Sequence, residues 1–220
     1  MTSGSTFPQR LTKIDDLTRP DHSYLTDSDA CYFLGEYSAR KGFAFSSGNS
    51  LVLNFKKSIA TRGTTQWQYK ERAIQEAAAA FRCALPDGFL NAATFVAIPP
   101  SKARTDPLYD DRVTRMLRAI RQNQPLDVRE LILQTSSTEA VHDRLVRPRP
   151  EDLAALYTID SRLCQPAPTA IAICDDVLTT GAHYRATLSV LKRAFPLVPV
   201  VGLFIARRVP EAMDFDAFEN

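Results

Sequence analysis

Two adjacent carboxylates, Asp175 and Asp176, follow the apolar run Ile171-Ala172-Ile173-Cys174 and precede Val177-Leu178-Thr179-Thr180-Gly181-Ala182-His183. The apolar run has the form of a strand buried in a parallel sheet. The stretch from about Ala182 to Ala194 has the form of a helix. Strand, acidic pair, Thr-Thr-Gly loop and helix therefore succeed one another at the carboxyl end of a strand, where open α/β sheets bind ligands. The loop's free N–H groups and the helix N-terminus suit a phosphate. The carboxylates suit sugar hydroxyls or a hydrated Mg²⁺.

A second group follows an earlier apolar strand. In Phe95-Val96-Ala97-Ile98-Pro99-Pro100-Ser101-Lys102-Ala103-Arg104, Lys102 and Arg104 have the charge to hold an anion, and Ser101 has a hydroxyl to help. Taken alone, such a segment is better read as a solvated basic turn. A third group lies in a long polar stretch, residues 134–150, with Thr138, His142, Arg144, Arg147 and Arg149. Asp110, Asp111 and Arg112 open a further expected helix, where acidic residues favour the helix dipole.

The run ICDDVLTTGAH resembles the 5-phosphoribosyl-1-pyrophosphate (PRPP) signature of the type I phosphoribosyltransferases. The resemblance implies that Asp175 and Asp176 contact the ribose hydroxyls and the Mg²⁺ that accompanies PRPP. It implies that residues Val177, Leu178, Thr179, Thr180, Gly181, Ala182 and His183 surround the 5′-phosphate. It further implies that Ser101, Lys102 and Arg104 hold pyrophosphate. His142 and Arg144 would lie on a loop that closes over the reacting centre, the one as acid or base, the other neutralising the departing pyrophosphate. The reaction implied is transfer of phosphoribose from PRPP to a nitrogenous base; a PRPP- or nucleotide-sensing module without turnover, or a subunit of a larger assembly, is the alternative. Ala172 is smaller than the family's usual branched residue, and His183 replaces a small or hydroxyl residue.

Within the family, residues 94–208 are most similar to the competence protein ComF-like branch, without its cysteine zinc ribbon. Phe43-Ala44-Phe45-Ser46-Ser47-Gly48-Asn49-Ser50 is weakly similar to a segment of orotate phosphoribosyltransferase, although Ser, Gly and Asn equally suit a hairpin turn. The expected partners are PRPP, a base or nucleotide, and a second copy or partner protein.

The 220 residues suffice for one α/β domain and an extension. A net charge of +2 is too small to indicate direct nucleic-acid binding. Cysteines at 31, 83, 164 and 174 form no CxxC pair, which argues against structural zinc. No signal peptide and no membrane-length apolar run are visible, so a cytoplasmic setting is expected.

The elements that must position these groups follow from periodicity and turn chemistry. A loose arm is expected over 1–23, a helix from Asp27 or Ser28 to about Arg40, and two strands, Phe43 to Phe45 and Leu51 to Phe55, joined by a hairpin turn. Trp67 to Leu85 has a 3.6-residue apolar period and predicts a helix ended by Pro86-Asp87-Gly88. Strands are expected at Thr94 to Ile98, Val128 to Leu133, Thr169 to Cys174 and Pro199 to Ala206. Helical segments are expected at Leu108 to Gln122 and Glu151 to Leu156. The alternation predicts an α/β fold with a doubly wound, mostly parallel sheet: a core over 91–220 carrying an N-terminal hood over 24–90. The hood's aromatic residues, among them Phe43, Phe45, Phe55, Trp67 and Tyr69, are candidates to stack a base.

Overall fold

The computed structural model describes residues 7–138 and 148–210. Among these residues eight strands form a six-stranded sheet and a two-stranded one. In chain order they are β1 (Thr12–Lys13), β2 (Cys31–Ser38), β3 (Thr94–Ala97), β4 (Asp127–Val128), β5 (Ile132–Gln134), β6 (Tyr157–Ile159), β7 (Ile171–Leu178) and β8 (Val200–Val209). The helices are α1 (Ser47–Phe55), α2 (Thr65–Ala84), α3 (Asp87–Ala92), α4 (Arg112–Ala119), α5 (Pro150–Ala155) and α6 (Ala182–Ala194). The main sheet runs β1-β2-β8-β7-β3-β4, parallel throughout except for β1. β5 and β6 pair antiparallel beside it.

Both faces of the sheet are covered, as the central strands' apolar character requires. One buried cluster joins Leu34, Phe95, Ala172, Cys174 and Leu203 to α1, α2 and α4. The other joins Phe33, Val96, Ile171, Ile173 and Phe204 to α5 and α6. Alternate residues of one strand thus belong to opposite layers. The fold is α/β with a mostly parallel sheet, as the alternation predicted.

Several elements differ from expectation, each for a physical reason. No helix spans 28–40. Cys31 and Phe33 face one layer and Leu34 the other, and β2 pairs along its length with β8. Asp29, next to the expected caps Asp27 and Ser28, accepts from Thr26 and binds Arg185 at 2.8 Å. The stretch 24–90 thus contributes β2 to the main sheet. In the segment 7–23, Phe7 and Ile14 are buried, and β1 pairs with β2.

The expected hairpin over 43–55 is a turn followed by α1. The Ser46 hydroxyl accepts from Asn49 N–H at 3.0 Å and caps the helix. The Asn49 amide, fully buried, donates to Ser38 and Lys41 carbonyls and locks α1 against the end of β2. Gly48 is required there, since a Cβ would lie 2.0 Å from the Glu36 carbonyl oxygen.

The helix expected from Leu108 starts only at Arg112, because the preceding residues turn Asp110 inward. The strand expected over 128–133 divides between β4 in the main sheet and β5 in the small one. β7 continues past Cys174 to Leu178, so both carboxylates belong to the strand.

Candidate functional site at the carboxyl end of the parallel strands

Alternation along β7 separates the acidic pair. Ala172 and Cys174 face α1, α2 and α4, and Asp176 continues that row. Asp175 continues the row of Ile171 and Ile173, on the α6 side. Their surroundings differ accordingly. Asp176 Oδ2 accepts from Arg112 Nε at 2.9 Å and Nη2 at 2.7 Å, while Oδ1 lies 3.1 Å from Lys56 Nζ. The residue is 3% exposed. Burial alone would raise its pKa, but the charges of Lys56 and Arg112 outweigh burial and hold it below the usual carboxylate range.

Asp175 is partly exposed, and its Oδ1 accepts the Asp176 N–H at 2.8 Å. Burial first, and the neighbouring Asp176 charge second, push its carboxyl well above the usual range. One member of the pair is thus a firmly held anion and the other an acid that keeps its proton more readily.

Arg112 extends the network away from the strand. Its Nη1 donates to Asp110 Oδ2 at 2.9 Å, and Asp110 also binds Lys70 Nζ at 2.8 Å. Lys70 is fully buried and donates to the Phe55 and Lys57 carbonyls as well, each at 2.8 Å. The alternating series Lys56, Asp176, Arg112, Asp110, Lys70 ties the end of α1 to β7, α4 and α2. Asp110, expected only to favour a helix dipole, and Arg112, expected only to open that helix, are internal members of this series.

After β7 the chain turns through Thr179 and Thr180 into α6. Gly181 adopts φ 84°, and a Cβ there would meet Leu25 Cδ2 at 2.9 Å. Only glycine takes this left-handed turn cheaply. The loop's carbonyls point to the N-terminal segment: Thr179 O binds His22 Nδ1, and Thr180 O accepts from Tyr24 N–H at 2.9 Å. In the first turn of α6 the Ala182 N–H donates to the Thr180 hydroxyl at 3.4 Å, a long bond. First-turn amides of a helix have no helical acceptor, so this end can receive an anion.

His183 stands in that first turn. Its Nδ1 is hydrogen-bonded to the Tyr157 hydroxyl at 3.0 Å, and burial pushes its pKa down to about 4. It is a neutral group that joins α6 to β6. The Tyr157 hydroxyl is pushed up by burial and by the charge of Asp175.

The second group is brought only partly to this place. Ser101 is held by its carbonyl, which accepts from Gln134 Nε2 at 2.6 Å and Thr138 N–H at 2.8 Å. Lys102 is partly buried beside it. Arg104 turns to Glu130, beyond β3, and lines a cavity of about 480 Å³ with Arg118, Arg129, Asp160 and Arg162. It does not join the acidic pair's network. Thr138 serves the Ser101 turn, and the Arg149 N–H donates to Asp152 at the start of α5. His142, Arg144 and Arg147 lie outside the described residues.

Sequence reasoning assigned no role to Lys56, Lys70, Arg112 or Tyr157 in the site. Arg112 lies 64 residues from Asp176 in sequence, and nothing local marks the pair. As for Mg²⁺, both oxygens of Asp176 are already taken by cations, so this residue does not fit as a ligand. Asp175 has one oxygen outside its bond to Asp176 and fits as a single carboxylate toward an ion that arrives with phosphates and waters. Among the described residues no group of three or more His, Cys, Asp or Glu side chains is arranged to hold a metal. No helix among them is long and apolar enough to cross a membrane.

No protein-family model matches the chain, and no curated protein matches it.

Proposed function

We propose that this protein is a phosphoribosyltransferase-like protein of the type I fold that binds PRPP with Mg²⁺ and transfers phosphoribose to a nitrogenous base, releasing pyrophosphate. The observation that carries the reading is the union of the ICDDVLTTGAH run with its position: the strand's carboxyl end, followed by a left-handed Gly181 that opens α6. In this reading the first-turn amides of α6 receive the 5′-phosphate, and Thr179 and Thr180 line its entry. Asp175 orients the ribose hydroxyls and reaches the Mg²⁺, which neutralises pyrophosphate charge when bound. Asp176 acts through its cations, fixing Lys56 and Arg112 rather than touching the sugar. Ser101 and Lys102 stand on the loop after β3 as the pyrophosphate side.

A second reading is a PRPP- or nucleotide-sensing module without turnover. The neutralisation of Asp176 by two cations favours it, since a carboxylate so held offers the sugar no free oxygen.

Calorimetric titration with PRPP and Mg²⁺ tests the site. Binding is expected in the wild type, and Asp175→Asn is expected to weaken it by about tenfold or more, as loss of a charged hydrogen-bond acceptor does. Equal affinity in the variant refutes the assignment of Asp175. Pyrophosphate release over a panel of bases then separates the two readings: release with any base supports transfer, and binding without release supports sensing.

A further inference from the structure

We propose that the surface formed by the turn 41–45 and the first half of α2 binds single-stranded nucleic acid, independently of the phosphoribose reading. Residues 40–72 hold seven of the chain's 27 Lys and Arg and one of its 25 Asp and Glu; Lys56 and Lys70 turn inward to Asp176 and Asp110, and the other five stand with the single acid Glu71. A whole-chain charge of +2 conceals this concentration, and composition therefore gave no indication of nucleic acid.

Aromatic rings are interleaved with these cations. Phe43, Phe45 and Tyr69 are 49%, 56% and 50% exposed, although burial is the ordinary fate of large apolar groups. Lys57 Nζ lies 5.1 Å from the Phe43 ring centre and 5.7 Å from that of Tyr69. The Arg72 guanidinium is 5.9 Å from Tyr69, and Lys41 Nζ is 5.7 Å from Phe45. Gln66 Oε1, one helical turn before Tyr69, accepts from Lys57 at 2.6 Å and steadies it. Each ring is thus exposed and has a cation at its side.

That combination matches a flexible polyanion whose repeating unit carries a flat ring. Unstacked bases lie on aromatic faces, and phosphates meet the adjoining cations. A duplex hides its base faces within the stack, and an acidic peptide would use the cations and leave the rings without purpose. The patch also adjoins the strand-end site: Lys56, next to Lys57, turns inward to Asp176.

The test is fluorescence anisotropy of a labelled oligothymidylate of about 20 nucleotides at about 50 and 200 mM salt, with a duplex of equal length and polyglutamate as comparisons. The wild type is expected to bind the single strand more tightly than either comparison, with affinity falling as salt rises. Phe43→Ala with Tyr69→Ala is expected to lower affinity at least about fivefold, while Tyr69→Phe, which keeps the ring, retains it. Lys57→Gln with Arg72→Gln is expected to flatten the salt dependence by about one to two counterions. The proposal is overturned by absence of wild-type binding, by a double ring variant within about twofold of wild type, or by polyglutamate binding as tightly as the oligonucleotide.

Discussion

Asp175 and Asp176 share a motif and differ in almost every physical respect, because a strand turns successive side chains to opposite layers. The consequence for Asp176 is measurable. Arg112→Ala leaves its buried carboxylate with Lys56 alone and also removes a partner from Asp110. Breaking one side of such a pair costs about 3–5 kcal/mol, read as a lower denaturant midpoint. Adding Asp176→Asn to Arg112→Ala should recover part of that loss, with a coupling of at least about 1 kcal/mol in a double-mutant cycle. Strict additivity would mean that the two residues do not support one another.

The loop from β7 into α6 depends on one residue that tolerates a positive φ. In Gly181→Ala, both the left-handed backbone and the contact with Leu25 oppose the added methyl. A loss of about 1–2 kcal/mol of stability is expected. PRPP affinity should fall with it, because the first-turn amides shift. Unchanged affinity at reduced stability would separate the turn from ligand binding. This element was readable in the sequence, since an apolar run, a glycine and an amphipathic helix are local signals. The long α2 was readable for the same reason: Ile74, Ala77, Ala78 and Phe81 lie on one face, and all are buried. β2 was not, because Asp27 and Ser28 have the chemistry of a helix cap, while the pairing of the following residues with β8 joins segments far apart in the chain. α1 was missed because Ser-Ser-Gly-Asn serves a turn and a cap equally well. In the site, the run 171–183 was legible, whereas the cations that decide the state of Asp176 come from α4 and the end of α1 and are joined only by folding.

At the scale of the whole molecule, a buried histidine, His22, and a half-buried one, His183, link stability to pH. His183 has its pKa pushed down to about 4 from 6.5 by burial; His22 is lowered as well, by burial against the opposing hydrogen bond to Thr179. The unfolded chain binds protons below about pH 6.5 that the folded chain refuses, so this contribution is complete above pH 6.5 and is lost as pH falls toward 4. Asp175 acts oppositely, since its folded carboxyl keeps a proton that the unfolded one releases. Comparison of wild type with His183→Gln isolates the histidine. The variant's unfolding midpoint should decline less over that range, by the equivalent of roughly 1–3 kcal/mol, and parallel curves would assign His183 an ordinary titration.

The position of β8 has a temporal meaning. It lies between β2 and β7, and its Gly202 stands opposite Cys31. On the ribosome, β2 emerges long before the strand that completes it, and until residue 209 has been made only the two-residue β1 is available along one of its edges. Such distant pairing slows folding and leaves a strand edge open to other chains. A polypeptide interrupted before β8 would therefore be a substrate for chaperones or a seed for aggregation, rather than a smaller working protein.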